Sequence, residues 1–251
     1  MRLPSNSEII DGVIVPSPIK SEFKNIYLKV RQLENRFYSD EEVALLPFAS
    51  KNNLHKREWE LRVKSLKRFK SYLETLKNKS EILDIGCGNG WFCGHLSKIF
   101  SCKFYCVDVN LTELKQAVRV FKNQNITFYF ADINENIFQE KYFDFILLNS
   151  TVQYFSDLNK LIRRLFEFLK EDGEIHIIDS PFYTESERIN ARKRTESYFE
   201  KLNVPEMIEY YHHHSYSELK TFKHKILYKP KKSILNFIKR NSPFPWIRLI
   251  K

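Results

Sequence analysis

The stretch that most constrains this chain is "EILDIGCGNGWFCGHL", residues 81–96, where an apolar run ends in three glycines within five positions and an amphipathic pattern then resumes. A strand, glycine turn and helix in that order belong to an open parallel sheet, whose ligand sits beyond the carboxyl ends of its strands. Gly86, Gly88 and Gly90 allow a sharp turn and a close approach of main chain to ligand, where a Cβ would intrude.

The following hundred residues repeat that alternation. "EILDI" (81–85), "KFYCVDV" (103–109), "ITFYFAD" (126–132), "FDFILLN" (143–149) and "GEIHIID" (173–179) are predicted strands, rich in Ile, Phe, Tyr and Val. "WFCGHLSKIF", "LTELKQAVRVFKN" and "SDLNKLIRRLFEFLKEDG" carry apolar residues at helical spacing, the last opening at Ser156 as N-cap and stopping at Gly173. Such alternation implies right-handed crossovers and a doubly wound, mostly parallel α/β sheet.

Residues 1–78 are predicted as an N-terminal helical cap. "EFKNIYLKVRQLENRF" and "HKREWELRVKSLKRFKSYLETL" are helical, the second with Trp59, Val63, Leu66, Phe69, Leu73 and Leu76 along one face. Ser39 and Glu42 form a capping box opening a short helix that ends before Pro47. Residues 79–251 form the ligand-binding domain, with the polar and aromatic segment 181–216 as a lid and "KHKILYKP" and "PFPWIRLIK" as two further strands. At 251 residues and 43% hydrophobic content, the chain can fill one full-sized core but not two large ones.

The glycine spacing excludes two nucleotide sites. Counted from Gly86 the sixth position is Trp91, and from Gly88 it is Cys93, so no G-x-G-x-x-G dinucleotide fingerprint forms. The Gly-Lys-Ser/Thr ending of a phosphate loop is missing too. Asp108, 22 residues after Gly86, stands where a carboxylate accepts both hydroxyl protons of a ribose, and Asp132 closes the third strand, where one can accept from an exocyclic amino group. A nucleoside without phosphates suits all three features.

"ILDIGCGNG", "VDVN", "ADI" and "FDFILLNSTVQYF" together resemble the motifs of class I S-adenosylmethionine-dependent methyltransferases, over roughly residues 80–180. "HKREWELRVKS" is similar to the cap of uncharacterised bacterial small-molecule methyltransferases. The resemblance implies a Rossmann-like fold, S-adenosylmethionine as methyl donor and S-adenosylhomocysteine as product. It implies that Gly86, Cys87, Gly88, Asn89 and Gly90 lie along the methionine portion, that Asp108 binds the ribose, and that Asp132 and Ile133 flank the adenine. Asn149 and Ser150 would line the donor near its methyl; Asp84, Trp91, Val109, Asn110 and Ala131 complete the expected contacts. For Trp59 and Arg62 two readings stand: folded over the donor, with Arg62 pairing its carboxylate, or an ordinary core Trp and a solvated Arg.

Transfer from an activated sulfonium needs an aligned nucleophile and exclusion of water, and a base only if the acceptor loses a proton. No particular catalytic residue is therefore demanded; Tyr154, His212, His213 and His214 are the candidates. Three consecutive histidines cannot share one helix face as an i, i+4 metal pair does, and Cys87, Cys93, Cys102 and Cys106 contain no C-x-x-C knuckle, so no metal is expected. The cysteines read as small buried hydrophobes in a reducing cytoplasm. Asp11, Gly12 and Pro16 break the one short apolar patch near the start, and no run reaches the roughly 18 apolar residues of a membrane span, so neither a secretory signal nor a span is expected.

A small-molecule acceptor with an O, N or C nucleophile is the expected substrate. Nucleic acid is the rival class, but "LNSTVQYF" lacks the Asn/Asp-Pro-Pro-aromatic sequence of amino-methylating nucleic-acid enzymes, and no Pro-Cys nucleophile follows. A non-catalytic donor-binding protein is the other alternative. Residues 216–251 hold ten Lys or Arg against the single acid Glu218, so this tail carries +9 of the formal +10. Either the tail meets a nucleic acid or an anionic surface, or its lysines are the solvent side of strands completing the sheet.

Overall fold

The computed structural model describes residues 7–17, 22–76, 81–122, 125–230 and 241–251. A hairpin of β1 (Glu8–Ile10) and β2 (Val13–Val15) comes first, then helices α1 (Glu22–Leu33), α2 (Asp40–Leu45) and α3 (Lys56–Glu74). The alternating part runs β3 (Glu81–Ile85), α4 (Trp91–Ser97), β4 (Lys103–Asp108), α5 (Leu111–Val120), β5 (Ile126–Phe130), β6 (Phe143–Asn149), α6 (Leu158–Phe168) and β7 (Leu169–Ile178). Helix α7 (Glu185–Lys201) and strands β8 (Lys223–Tyr228) and β9 (Trp246–Ile250) follow.

The sheet has nine strands in the order β1-β2-β5-β4-β3-β6-β7-β9-β8. Strands β2 to β7 pair in parallel, whereas β1, β9 and β8 run antiparallel to their neighbours. From β3 the chain winds outward through β4 to β5, then returns to the other side of β3 with β6 and β7. That reversal opens a crevice at the carboxyl ends of β3 and β6, where doubly wound sheets bind ligands.

Strand alternation sends successive side chains to opposite faces. Ile82, Phe104, Cys106, Phe128, Phe145 and Leu147 pack beneath Phe69 and Leu66 of α3, Phe92 and Leu96 of α4, and Leu114 of α5. Leu83, Ile85, Val107, Ile146, Leu148 and Ile177 face Leu158, Leu161, Ile162 and Leu165 of α6. A third, smaller cluster joins Val30 of α1 to Phe199, Val204 and Met207.

Four sequence readings need correction. The segment 1–78 is not purely helical, because β1 and β2 extend the sheet beyond β5; the boundary at residue 78 lies outside the described residues. The N-cap of α6 is Asp157, whose side chain accepts from Lys160 N at 2.9 Å, not Ser156. Helix α6 ends at Phe168 rather than Gly173, because Leu169 turns extended and begins β7. Gly173 lies inside that strand beside a register shift, where a Cβ would stand 2.6 Å from Leu169 Cγ. The segment after Ser180 contains the 17-residue helix α7, opened by a Thr184–Glu187 capping box.

The C-terminal strands complete the sheet. Arg248 pairs with Glu174 at 3.2 Å and Lys251 with Glu171 at 3.7 Å, while Lys223 and Lys225 of β8 are exposed. Lys231, Lys232, Lys239 and Arg240 lie outside the described residues.

Candidate functional site

The glycine turn is held by the main chain of its neighbour. Gly86 N and Cys87 N donate to Val107 O at 2.8 and 3.2 Å. Gly88 N donates to Asp108 Oδ2 and Asn110 N to Asp108 Oδ1, each at 2.8 Å, so one carboxylate ties the turn after β3 to the end of β4. All three glycines have positive φ, 68°, 53° and 72°. At Gly86 a Cβ would stand 2.1 Å from Thr151 Oγ1, so no side chain fits; at Gly88 the nearest atom, Glu113 Oε2, is 3.5 Å away. Burial, then the charge of Glu113, pushes the Asp108 pKa up to about 7 against the hydrogen bonds from Gly88 and Asn110.

A cavity of about 890 Å³ opens over this turn. Its floor brings together Gly86, Cys87, Gly88, Asn89, Trp91, Asp108, Val109, Asn110, Ala131, Asp132, Ile133, Asn149 and Ser150, and α3 adds Trp59 and Arg62. Asp132 Oδ1 accepts from Asn134 N and Nδ2, both at 2.9 Å, and Ser150 adopts the left-handed region at φ 58°. The Oδ1 of buried Asn149 has no partner within the protein.

Asp84 and Gly90, expected among these contacts, do not line the cavity. Asp84 shares the face of Ile82 and points beneath α4, where Cys93 Sγ donates to its Oδ2 at 3.2 Å. A Cβ on Gly90 would meet Phe128 at 2.9 Å, so this glycine serves the packing of the helix start.

Arg62 is neither solvated nor free. It donates to Glu58 Oε1 through Nε and Nη2 at 3.2 and 2.8 Å and to Ser150 Oγ through Nη1 at 3.0 Å, and lies over the Trp59 ring at 5.4 Å. Trp59 meets Trp91 edge-on at 5.4 Å and donates to Tyr38 Oη at 3.2 Å. Burial alone would raise the Glu58 pKa; Arg62 and Arg36 outweigh it and hold it at about 2.

Beyond the glycine turn the cavity runs between α1 and the segment 181–211. Phe23, Tyr27 and Arg31 of α1 face Tyr154, Phe199, Tyr210 and Tyr211. Tyr154 packs edge-on against Tyr27 at 5.8 Å and Tyr211 at 6.0 Å. Burial keeps its hydroxyl protonated, which suits a wall or hydrogen-bond donor better than a base. His212, His213 and His214 stay outside the cavity. His212 N donates to Gln153 O at 2.7 Å, His213 Nε2 meets Thr195 Oγ1 at 2.9 Å, and buried His214 sits between Val152 O and Glu218. His212 and His214 thereby fasten the segment 181–216 to the turn after β6, while His213 ties it to its own helix α7.

Arg31 and Glu113 have no counterpart in the sequence reading. Arg31 crosses from α1 to pair with Glu113 on α5 at 3.4 Å, and Asn110 Nδ2 donates to the same carboxylate at 3.1 Å. Phe23, Tyr27 and Val30 at helical spacing mark the inward face of α1, but nothing local announces its partner.

Among the described residues, one group brings potential metal ligands together: Asp84, Cys93 and Cys106, with ligand atoms within 4.8 Å of one another. All three are buried in the core beneath α4, and burial pushes the Asp84 pKa up to about 7 and both thiols upward.

Residues 82–173 match the family described as "Methyltransferase domain". The malonyl-[acyl-carrier protein] O-methyltransferase of Bacillus cereus is 35% identical over 94 residues, covering 37% of this chain and 34% of that enzyme. The phosphoethanolamine N-methyltransferase of Plasmodium falciparum is 29% identical over 151 residues, 59% of this chain and 55% of the other. The matches thus span about a third to about half of these relatives' length. Among solved structures, Haemonchus contortus phosphoethanolamine N-methyltransferase 2, in complex with phosphomonomethylethanolamine and S-adenosylhomocysteine, shares the fold with a TM-score of 0.55 at 18% identity, over 94% of this chain and 61% of that one.

Proposed function

We propose that this chain, a class I S-adenosylmethionine-dependent methyltransferase, transfers the donor's methyl group to a small-molecule acceptor with an O, N or C nucleophile, leaving S-adenosylhomocysteine. The observation that carries the reading is a single cavity joining the glycine turn and the Asp108 carboxylate to an aromatic chamber between cap and lid. At about 890 Å³ it lies toward the upper end of ligand pockets, roughly 300–1,000 Å³, as a site for two reactants requires.

The residues present fit the donor. Gly88 has space where a Cβ would point, Asp108 offers a carboxylate at the end of β4, and the unpartnered Asn149 Oδ1 marks a polar place on the floor. Asp108 would hold the ribose, Ala131, Asp132 and Ile133 the adenine, and the turn with Asn149, Ser150 and Arg62 the methionine end. When bound, the donor supplies a methyl already activated for displacement. The chain's task is then alignment and dryness: Tyr27, Tyr154 and Tyr211 wall the acceptor, and residues 181–216 close over it as a lid.

The described helices include none long and apolar enough to cross a membrane. Four free cysteines, three of them buried, support a reducing, cytoplasmic setting. Calorimetry tests the donor half: S-adenosylmethionine and S-adenosylhomocysteine should each bind with one-to-one stoichiometry. Acceptor-dependent release of S-adenosylhomocysteine tests turnover; a protein that binds donor but releases none with any acceptor tried is a binding protein instead.

A further inference from the structure

The arginines lining the cavity are not equivalent. Arg31 pairs with Glu113 at 3.4 Å, Arg36 with Glu34 at 2.8 Å and Glu58 at 2.7 Å, and Arg62 with Glu58 at 2.8 Å. Arg194, on the lid helix α7, lines the same cavity and has no carboxylate partner among the described residues. Lys24, half-buried on α1, lines it with no acidic partner among the described residues either.

The charge continues outward from Arg194. A shallow groove of about 410 Å³ along α7 is lined by Lys193, Arg194, Ser197, Tyr198 and Lys201. Their spacing places Lys193, Ser197 and Lys201 on one helical row and Arg194 and Tyr198 on the next. Arg194 and Tyr198 line both spaces, so groove and cavity meet there. The other cations of this helix are neutralised locally, Arg188 by Glu185 at 3.0 Å and Arg192 by Glu196 at 2.9 Å. Lys193, Arg194 and Lys201 have no such partner among the described residues. Clustered cations of one sign at the mouth of a cleft concentrate anions there.

We propose that the methyl acceptor carries an oxyanion, phosphate or carboxylate, that Arg194 receives where the cavity meets the α7 groove, with Lys24 lining the same cavity and Lys193 and Lys201 lining the groove. This rests on the methyl-transfer reading above and adds the substrate class to it. The nucleophilic end then reaches past Tyr154 toward the donor while the anion stays at the rim, still partly hydrated. Guanidinium suits this task because its planar fork meets two oxyanion oxygens at once.

The test uses full-length protein saturated with S-adenosylhomocysteine, titrated calorimetrically at low ionic strength with inorganic pyrophosphate and, separately, with malonate. Saturable binding of at least one anion is expected, and the tighter of the two identifies phosphate or carboxylate. Arg194→Glu should weaken it by about tenfold or more, whereas Arg188→Glu, which alters an already paired cation on the same helix, should change it less than about threefold. Arg194 is exposed, so folding is not at stake, and unchanged S-adenosylhomocysteine affinity in the variant verifies that. Absence of saturable binding of both anions, or equal losses from Arg194→Glu and Arg188→Glu, overturns the proposal. If S-adenosylhomocysteine itself does not bind, the methyl-transfer reading fails first; if it binds tightly and neither anion does, only the oxyanion inference falls.

Discussion

The wall of the cavity proposed to hold the donor (the donor wall) and the wall proposed to hold the acceptor (the acceptor wall) are ordered by different forces. The donor wall comes from turns at the ends of β3, β4, β5 and β6, and main-chain N–H groups fix it: Gly86 N and Cys87 N on Val107 O, Gly88 N and Asn110 N on the one Asp108 carboxylate. The acceptor wall is assembled from α1 and residues 181–211, far apart in sequence, and side chains hold it. Val30 meets Phe199, Val204 and Met207, Tyr198 donates to Glu34, and Arg31 reaches Glu113. A wall fixed by main chain presents one shape, suited to one donor. A wall fixed by side chains changes shape whenever a few residues change, and under the proposed function that is where acceptor choice belongs.

The strongest way to break this contrast is to put a side chain on the turn. Gly86→Val places Cβ 2.1 Å from Thr151 Oγ1 and forces a branched residue to φ 68°. Overpacking and left-handed strain together should cost about 3 kcal/mol or more in urea denaturation, and S-adenosylhomocysteine binding should fall beyond detection. A folded variant with normal donor affinity would show that the turn does not shape the donor wall.

Asp108→Asn tests the link between turn and second strand. Losing a charged acceptor should weaken donor binding by about 1.5–3 kcal/mol, roughly tenfold to over a hundredfold in calorimetry. A pH series sharpens the point. The folded pKa of about 7 exceeds the ordinary carboxylate value, so the stabilising contribution of protonated Asp108 is complete below about pH 4 and is lost as pH rises through 7. Donor affinity moves oppositely, because the ionised carboxylate is the better acceptor for ribose hydroxyls, and should rise between pH 6 and 8. In Asp108→Asn that rise should vanish, while part of the stability slope persists through Asp84, whose pKa burial also raises to about 7. A rise that survives the substitution would remove Asp108 from the ribose site.

Where the two walls meet, Arg31→Met should have a smaller effect. It leaves Glu113 without its cation beside Asp108, at a pair whose side chains are 17% and 9% exposed. Breaking a fully buried pair costs about 3–5 kcal/mol, and this longer, partly wetted one should cost about 1–2 kcal/mol. Adding Glu113→Gln should recover some of that loss in a double-mutant cycle. If the single variant is as stable as wild type, the cap is held by its apolar cluster alone.

How much of each wall is legible in the sequence follows from the same contrast. Strands 81–85 and 143–149 match to the residue, because glycine turns and β-branched runs act locally. Most donor-wall positions are legible for that reason, and of the two exceptions, Asp84 and Gly90, the first is instructive: Asp84 lies two residues from Ile82, so alternation assigns it to the buried face under α4. The acceptor wall is poorly legible. Arg31 and Glu113 are 82 positions apart, and no local pattern pairs them. Helix α7 escapes periodicity because only Ala191 and Phe199 of its 17 residues are buried. Its one clear signal is the "TESE" capping box at 184–187, and the Gly173 stop for α6 fails because tertiary pairing with β6 claims Leu169 first.

That capping box supports the smallest prediction, and the one most specific to the acceptor wall. Thr184 Oγ1 accepts from Glu187 N at 3.3 Å, and Thr184 N donates to Glu187 Oε2 at 3.1 Å, closing the first turn of a helix with little apolar burial of its own. Thr184→Ala should cost about 1 kcal/mol, in the usual range for an N-cap. Because the loss falls on a lid helix and not on the sheet, it should appear in hydrogen exchange as faster opening of 185–201 before it appears as a shift in global unfolding. S-adenosylhomocysteine affinity should change less than about twofold, since no main-chain contact of the glycine turn depends on α7. A donor affinity that falls together with lid protection would mean the two walls fold as one unit, and the separation of donor and acceptor roles would have to be abandoned.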